Sequence, residues 1–194
     1  MPKPAAMYAA LLPLALLLTA CGGGGSGAKP AFPSDTPALW NPCDALDPAL
    51  VHRSFGVQTK EDDGTPSQPN CSFTPIHRKT DKFAVSANYQ LTPFDLQAYF
   101  KAMHLSKKAD VRRPTIAQAD DARMVVHYTT KLMTITGFVK NGDLFQIVNV
   151  VDPAPYTVQR DVAGTEAVLT ALSKHADETG AGASASPTAT VTEN

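Results

Sequence analysis

The densest β signal in this chain runs from Met124 to Val151: apolar and polar residues alternate along it, and Asn141-Gly142 interrupts the alternation. A period of two sends successive side chains to opposite faces of a strand, and Asn-Gly suits a two-residue hairpin turn because both residues tolerate positive φ. With Asn141-Gly142 as the turn, Val139 faces Leu144, Phe138 faces Phe145, Thr136 faces Ile147 and Ile135 faces Val148. One face then carries Met133, Ile135, Val139, Leu144, Val148 and Val150 and is expected to be core. The other carries Phe138 and Phe145 among Thr134, Thr136, Gln146 and Asn149. A mixed aromatic and polar sheet surface can recognise a ligand, but a cross-strand aromatic pair also stabilises a sheet by itself. Phe138, Phe145, Thr136 and Ile147 form the candidate binding face, with a structural role as the competing reading.

The remaining elements follow from spacing. Asp47-Pro48 reads as an N-cap with proline at the first helical position, and Phe55-Gly56 as the exit of a short helix with Leu50, Val51 and Phe55 inward. Glu61-Asp62-Asp63-Gly64 reads as a solvated turn, since the spaced ligands and closing glutamate of a calcium loop are missing. Phe83, Val85, Ala87 and Tyr89 share one face of a strand, with Cys71 to Ile76 as its neighbour. Thr92-Pro93-Phe94-Asp95 predicts a helix capped by Thr92, its apolar side made of Phe94, Ala98, Met103 and Leu105. The cations after it, Lys101, His104, Lys107, Lys108, Arg112 and Arg113, complement a helix C-terminus or form a patch for lipid headgroups or an anionic glycan. Val158, Val162, Thr165, Leu169 and Leu172 make a helical stripe ending near His175. The fold class expected is α+β: an antiparallel sheet with helices on at least one face and a short N-terminal helix stapled by a disulfide.

The N-terminal residues form a separate unit. Residues 1–20 carry Lys3 as their only charge, an apolar run from Tyr8 to Leu18 and small residues before Cys21, the organisation of a secretory signal. The run is shorter than the roughly 20 apolar residues that span a bilayer. Read as a plain signal it leaves Cys21 a spare thiol; Leu18-Thr19-Ala20-Cys21 instead resembles the bacterial lipobox, which implies a lipid-modified Cys21. Residues 21–39 are rich in glycine and proline and read as a tether, residues 40–176 as one domain, and residues 177–194 as a polar tail. With Cys21 assigned to lipid, Cys43 and Cys71 remain as an expected disulfide in an oxidising compartment. Two free thiols or a metal pair are the alternatives, but neither a four-ligand zinc spacing nor Cys-x-x-Cys is present.

Asn41-Pro42-Cys43-x-x-Leu46-x-Pro48, a short helix ending in Gly56, and Asn70-Cys71-Ser72-Phe73 together resemble the opening of an uncharacterised family of actinobacterial cell-envelope lipoproteins. That resemblance implies an α+β envelope lipoprotein and brings no enzyme activity with it. The family's second cysteine pair, near Lys131-Leu132, has no counterpart here.

Charges nearly cancel, 17 lysines and arginines against 18 acids, so no global field draws in nucleic acid. His52, His77, His104, His127 and His175 are scattered, and neither a Gly-x-Ser-x-Gly elbow nor a phosphate-binding glycine loop occurs. No cofactor, metal or catalytic residue is expected. The function expected is a membrane-anchored, non-enzymatic binding or accessory module of the cell envelope, with an envelope protein, lipid or glycan as partner. A carrier with an apolar lipid cavity, or an envelope hydrolase, is the alternative.

Overall fold

The computed structural model describes residues 40–77 and 82–182. The expected signal, Cys21, the tether and the part of the expected tail beyond residue 182 lie outside the described residues.

Trp40 opens the domain, buried against Leu144 and Ala176. A 3-10 turn, Pro42–Asp44, follows, capped by Asn41, whose side chain accepts from the Cys43 N–H at 3.0 Å. Helix α1 (Pro48–Phe55) has Asp47 as its N-cap, accepting from the Leu50 N–H, and Gly56 at φ 77° as its C-cap. Val51 and Phe55 are fully buried and Leu50 partly so. Cys43 is bonded to Cys71. Because Cys43 sits in the turn before α1, the bridge ties that turn, rather than the helix, to β2 (Gln68–Pro75).

Seven antiparallel strands form one sheet. Besides β2 they are β1 (Thr59–Thr65), β3 (Ala84–Leu91), β4 (Asp110–Arg112), β5 (Asp121–Tyr128), β6 (Leu132–Asn141) and β7 (Leu144–Pro153), in the order β1-β2-β3-β7-β6-β5-β4. Two meanders, β1 to β3 and β4 to β7, join where β3 pairs with β7 from Ala84↔Val151 to Leu91↔Leu144. Helix α2 (Leu96–Ala102) lies in the crossing between them. Helix α3 (Val158–Thr179) packs with α1 on the core face, where Val85, Met133, Ile135, Val139, Val148, Leu169 and Leu172 are buried. α1 and α3 approach so closely that a Cβ on Gly164 would lie 2.6 Å from the Phe55 ring and 2.8 Å from the Ser54 carbonyl oxygen.

Four local expectations are corrected. Glu61 to Gly64 is not a turn but part of edge strand β1, bulged between Asp62 and Gly64; an edge tolerates these carboxylates because its outer side faces water. The β6–β7 turn is Gly142-Asp143, so Asn141 pairs with Leu144, Val139 with Gln146, Phe138 with Ile147 and Thr136 with Asn149. The slip is two residues, which preserves the faces. Its cause is Asn141, whose buried side-chain amide donates to the Gln118 carbonyl at 2.8 Å and to Ser173 Oγ at 3.0 Å, a tertiary commitment that keeps it in the strand. Gln146 belongs to the core face, fully buried, donating to Asn141 Oδ1 at 3.3 Å. Finally, α3 runs to Thr179, beyond His175, and closes on Gly180 at φ 67°.

At the start of α3, Arg160 donates to Asp152 on β7 at 2.6 Å and to the fully buried Asp161 at 2.8 Å. The hydrogen bond to Asp161 is the chief cause raising the guanidinium pKa above its ordinary value. This bridge fixes the helix to the end of the central hairpin.

The disulfide closes a 28-residue separation. Replacing Cys43 and Cys71 together by alanine is expected to lower unfolding free energy by about 3 to 4 kcal/mol on the chain-entropy estimate. A denaturant titration reads this as a lower midpoint, and an unchanged midpoint contradicts it.

Candidate functional site

The site is set by where α2 begins. Thr92 is not its cap: the Thr92 hydroxyl accepts from the Phe94 N–H at 3.3 Å in a preceding turn. Asp95 is the N-cap, its carboxylate accepting from the Ala98 N–H at 2.5 Å. The lead-in is fastened to the sheet, because buried Lys140 donates from Nζ to the Thr92 carbonyl at 2.9 Å and the Thr92 N–H donates to the Asp143 carbonyl at 2.8 Å.

This start turns Leu96, Tyr99 and Phe100 onto the sheet in place of the expected Phe94, Ala98, Met103 and Leu105. Leu96, Phe138 and Phe145 are then buried together, with ring centroids 5.9 Å apart for Phe138 and Phe145, 5.1 Å for Phe100 and Phe138, and 4.9 Å for Tyr99 and Phe145. Arg123, paired with Asp121 at 3.0 Å, lies 5.2 Å from the Phe100 ring centroid and covers the outer flank. The expected Phe138/Phe145 binding face is therefore a covered satellite core: Phe138 and Phe145 are each 1% exposed. Thr136 and Ile147 are half-buried beside it, and the Thr136 hydroxyl donates to Asn149 Oδ1 at 3.1 Å.

Where α2 stops covering the sheet, a groove of about 560 Å³ opens, lined by Gln90, Leu91, Phe94, Ala98, Tyr99 and Phe145 among others. Of the four expected face residues, only Phe145 lines it. Its floor is the Gln90↔Phe145 pair, and its wall is the side of α2 bearing Ala98 and Ala102. Phe94 is 70% exposed and Leu91 53%, large apolar side chains at the rim of a concavity rather than scattered singly. Along the same sheet face the lining gives way to the half-buried Asn88, Ser86, Asn149 and Thr136. The concavity thus has an apolar end and a polar approach, at a size typical of small-molecule sites, about 300–1,000 Å³.

Sequence reasoning missed Leu91, Gln90, Ala98 and Ala102 as lining residues. The available signals were Asp95 placed three residues before Ala98, a strong N-cap spacing, and the small pair Ala98 and Ala102 one turn apart, which leaves room beside a helix.

Other clusters serve structure. Cys43, Cys71 and Glu61 bring two sulfurs and a carboxylate within 4.8 Å of one another, but the sulfurs are spent in the disulfide and hold no thiolate for a metal. Burial, then the neighbouring Asp63, raises the Glu61 pKa above the ordinary carboxylate value. The His175 ring lies 5.0 Å from that of Trp40, tilted by 40°, as part of the packing at the end of α3.

Phe138 is accordingly a packing residue. Phe138→Ala should cost about 3 to 5 kcal/mol of stability through the cavity left under α2, read by thermal or denaturant unfolding; a change below about 1 kcal/mol would mean that the ring is not enclosed.

Comparison with known protein families, curated proteins and solved structures finds no match to this chain.

Proposed function

We propose that this protein is a lipid-anchored cell-envelope module that binds without catalysis, holding the apolar part of an amphiphile in the groove beside α2. The groove is the observation that carries the reading. Exposed apolar area is unfavourable by about 25 cal/mol per Å² relative to burial, so Phe94 and Leu91 at the rim mark a surface that gains free energy when something covers it. The neighbouring Asn88, Ser86 and Asn149 offer hydrogen-bonding groups to a head group while the groove takes a single chain or ring. A two-chain lipid exceeds the space, which favours a single-chain amphiphile or one chain of a larger molecule.

The anchor in this reading is Cys21 in Leu18-Thr19-Ala20-Cys21. Two or three acyl chains hold a protein stably where one holds it marginally. No helix among the described residues is long and apolar enough to cross a membrane.

Titration of the purified protein with a lysophospholipid below its micellar concentration, followed by backbone amide shifts, should move signals at Gln90, Phe94 and Tyr99. Ala98→Phe fills the groove and should weaken binding at least about tenfold, a loss of about 1.4 kcal/mol, with little change in melting temperature. Undiminished binding by that variant would place the ligand elsewhere. For the anchor, Cys21→Ala should move the protein from the membrane to the soluble fraction; persistence in a salt-washed membrane pellet would require another means of attachment.

A further inference from the structure

Charge on this domain is divided across the sheet. Glu61, Asp62 and Asp63 lie on β1 at one edge, while Arg112 ends β4 at the other, with Lys107 and Lys108 just before that strand and Arg113 just after it. Residues 92–113 carry five lysines and arginines against Asp95 and Asp110, a net +3 within a chain whose total is −1. Lys101, Lys107 and Lys108 are exposed and form no ion pair among the described residues.

The same stretch concentrates apolar surface. Of seven large exposed apolar side chains among the described residues, Leu91, Phe94, Met103 and Val111 fall within residues 91–113. Phe94 precedes α2 and Met103 is its C-cap, so they stand at opposite ends of a helix whose inner side packs on the sheet. Val111 pairs with Val125, which packs in the cluster beneath α2, and so belongs to this side as well. Exposed apolar side chains and cations on one side of a domain supply the two contributions to interfacial membrane binding, buried apolar area and attraction to anionic lipid.

We infer that this side of the domain docks onto an anionic phospholipid bilayer, with Phe94 and Met103 entering the interface and Lys101, Lys107 and Lys108 meeting headgroup phosphates. The apolar residues alone would suit a protein partner equally well. The net +3 stretch, opposite an acidic edge that an anionic surface repels, selects the leaflet and sets the orientation. The inference rests on the anchored-module reading for its biological setting. There an anchor at Cys21, 19 residues before Trp40, keeps the domain at high local concentration beside the membrane and lets a weak contact act. Docking would also set the groove mouth against the leaflet that supplies amphiphiles.

The test uses residues 21–194 carrying Cys21→Ala, so that no acyl group contributes, and flotation with vesicles of phosphatidylcholine alone or mixed with phosphatidylglycerol. Binding is expected to the mixed vesicles only, and to weaken as salt rises. Replacing Lys101, Lys107 and Lys108 together by glutamine should reduce affinity about a hundredfold, each cation near an anionic membrane contributing about fivefold. In a Phe94→Trp variant the new indole should blue-shift on binding, over the background of buried Trp40, the chain's only tryptophan. No binding to mixed vesicles, equal binding to both vesicle types, full binding by the glutamine variant, or an unshifted Trp signal would each overturn the inference. Ala98→Phe separates the two readings, because filling the groove should weaken lysophospholipid binding at least about tenfold while vesicle flotation persists. With Ala98 in place, flotation that fails while the groove binds makes only the docking wrong, and flotation that persists without groove binding makes only the ligand reading wrong.

Discussion

The eight-residue pairing of β3 with β7 holds the two halves of this sheet together. Ala84 to Leu91 runs beside Val151 to Leu144, joining segments more than fifty residues apart in the chain. Until that ladder forms, the first three strands and the last four are separate meanders, each with an apolar face and nothing to cover it. Closing so long a loop has an entropic cost, offset here by a continuous buried row that includes Val85, Ala87, Val148 and Val150. α1 and α3 then cover that row together, and their approach at Gly164 leaves no space for a side chain.

The same ladder creates the second face. Since β3 and the distant edge strand β4 belong to different meanders, the connection between them must cross the sheet, and α2 is the helix in that crossing. It is only seven residues long. It covers Phe138 and Phe145 and stops short of Gln90 and Asn88, and the groove is the step at that limit. Two polar commitments hold the step in place. Lys140 fastens the lead-in to α2 through the Thr92 carbonyl, and Asn141 holds the end of β6 through Gln118 and Ser173. Both are buried, and a buried donor left without its partner costs about 1–3 kcal/mol, so each resists loss of register at the end of the sheet beside the groove.

A functional reading grows from this incomplete coverage. A helix long enough to shield the whole face would have made a closed three-layer core with no site. A short one leaves apolar rim residues on the same side as a basic edge, and polar strand positions within reach. In the proposed reading, binding an amphiphile and facing an anionic surface draw on one arrangement and share Phe94 at the groove rim; beyond it the groove would use Phe145, Ala98 and Ala102, and the surface contact Met103 and the lysines.

Much of the framework was legible in the sequence because it rests on local patterns. Period-two alternation marked β3, β6 and β7 and the core membership of Met133, Ile135, Val139, Leu144, Val148 and Val150; Asp47-Pro48 and Gly56 bounded α1; the remaining cysteine pair predicted the bridge. Local rules misplaced what distant partners decided. Asn141-Gly142 is a favourable turn in isolation, yet Asn141 is held in the strand by Ser173 and Gln118. Thr92-Pro93 is a plausible cap, yet Asp95 has the carboxylate that reaches a helical N–H. Which residues seek burial, and where helices and strands can start, was set locally, because propensity and periodicity act over a few residues. Long-range packing settled that the Phe138/Phe145 face would be covered and a groove left beside it, because that follows from how far one short helix reaches across strands its own sequence neighbours do not form.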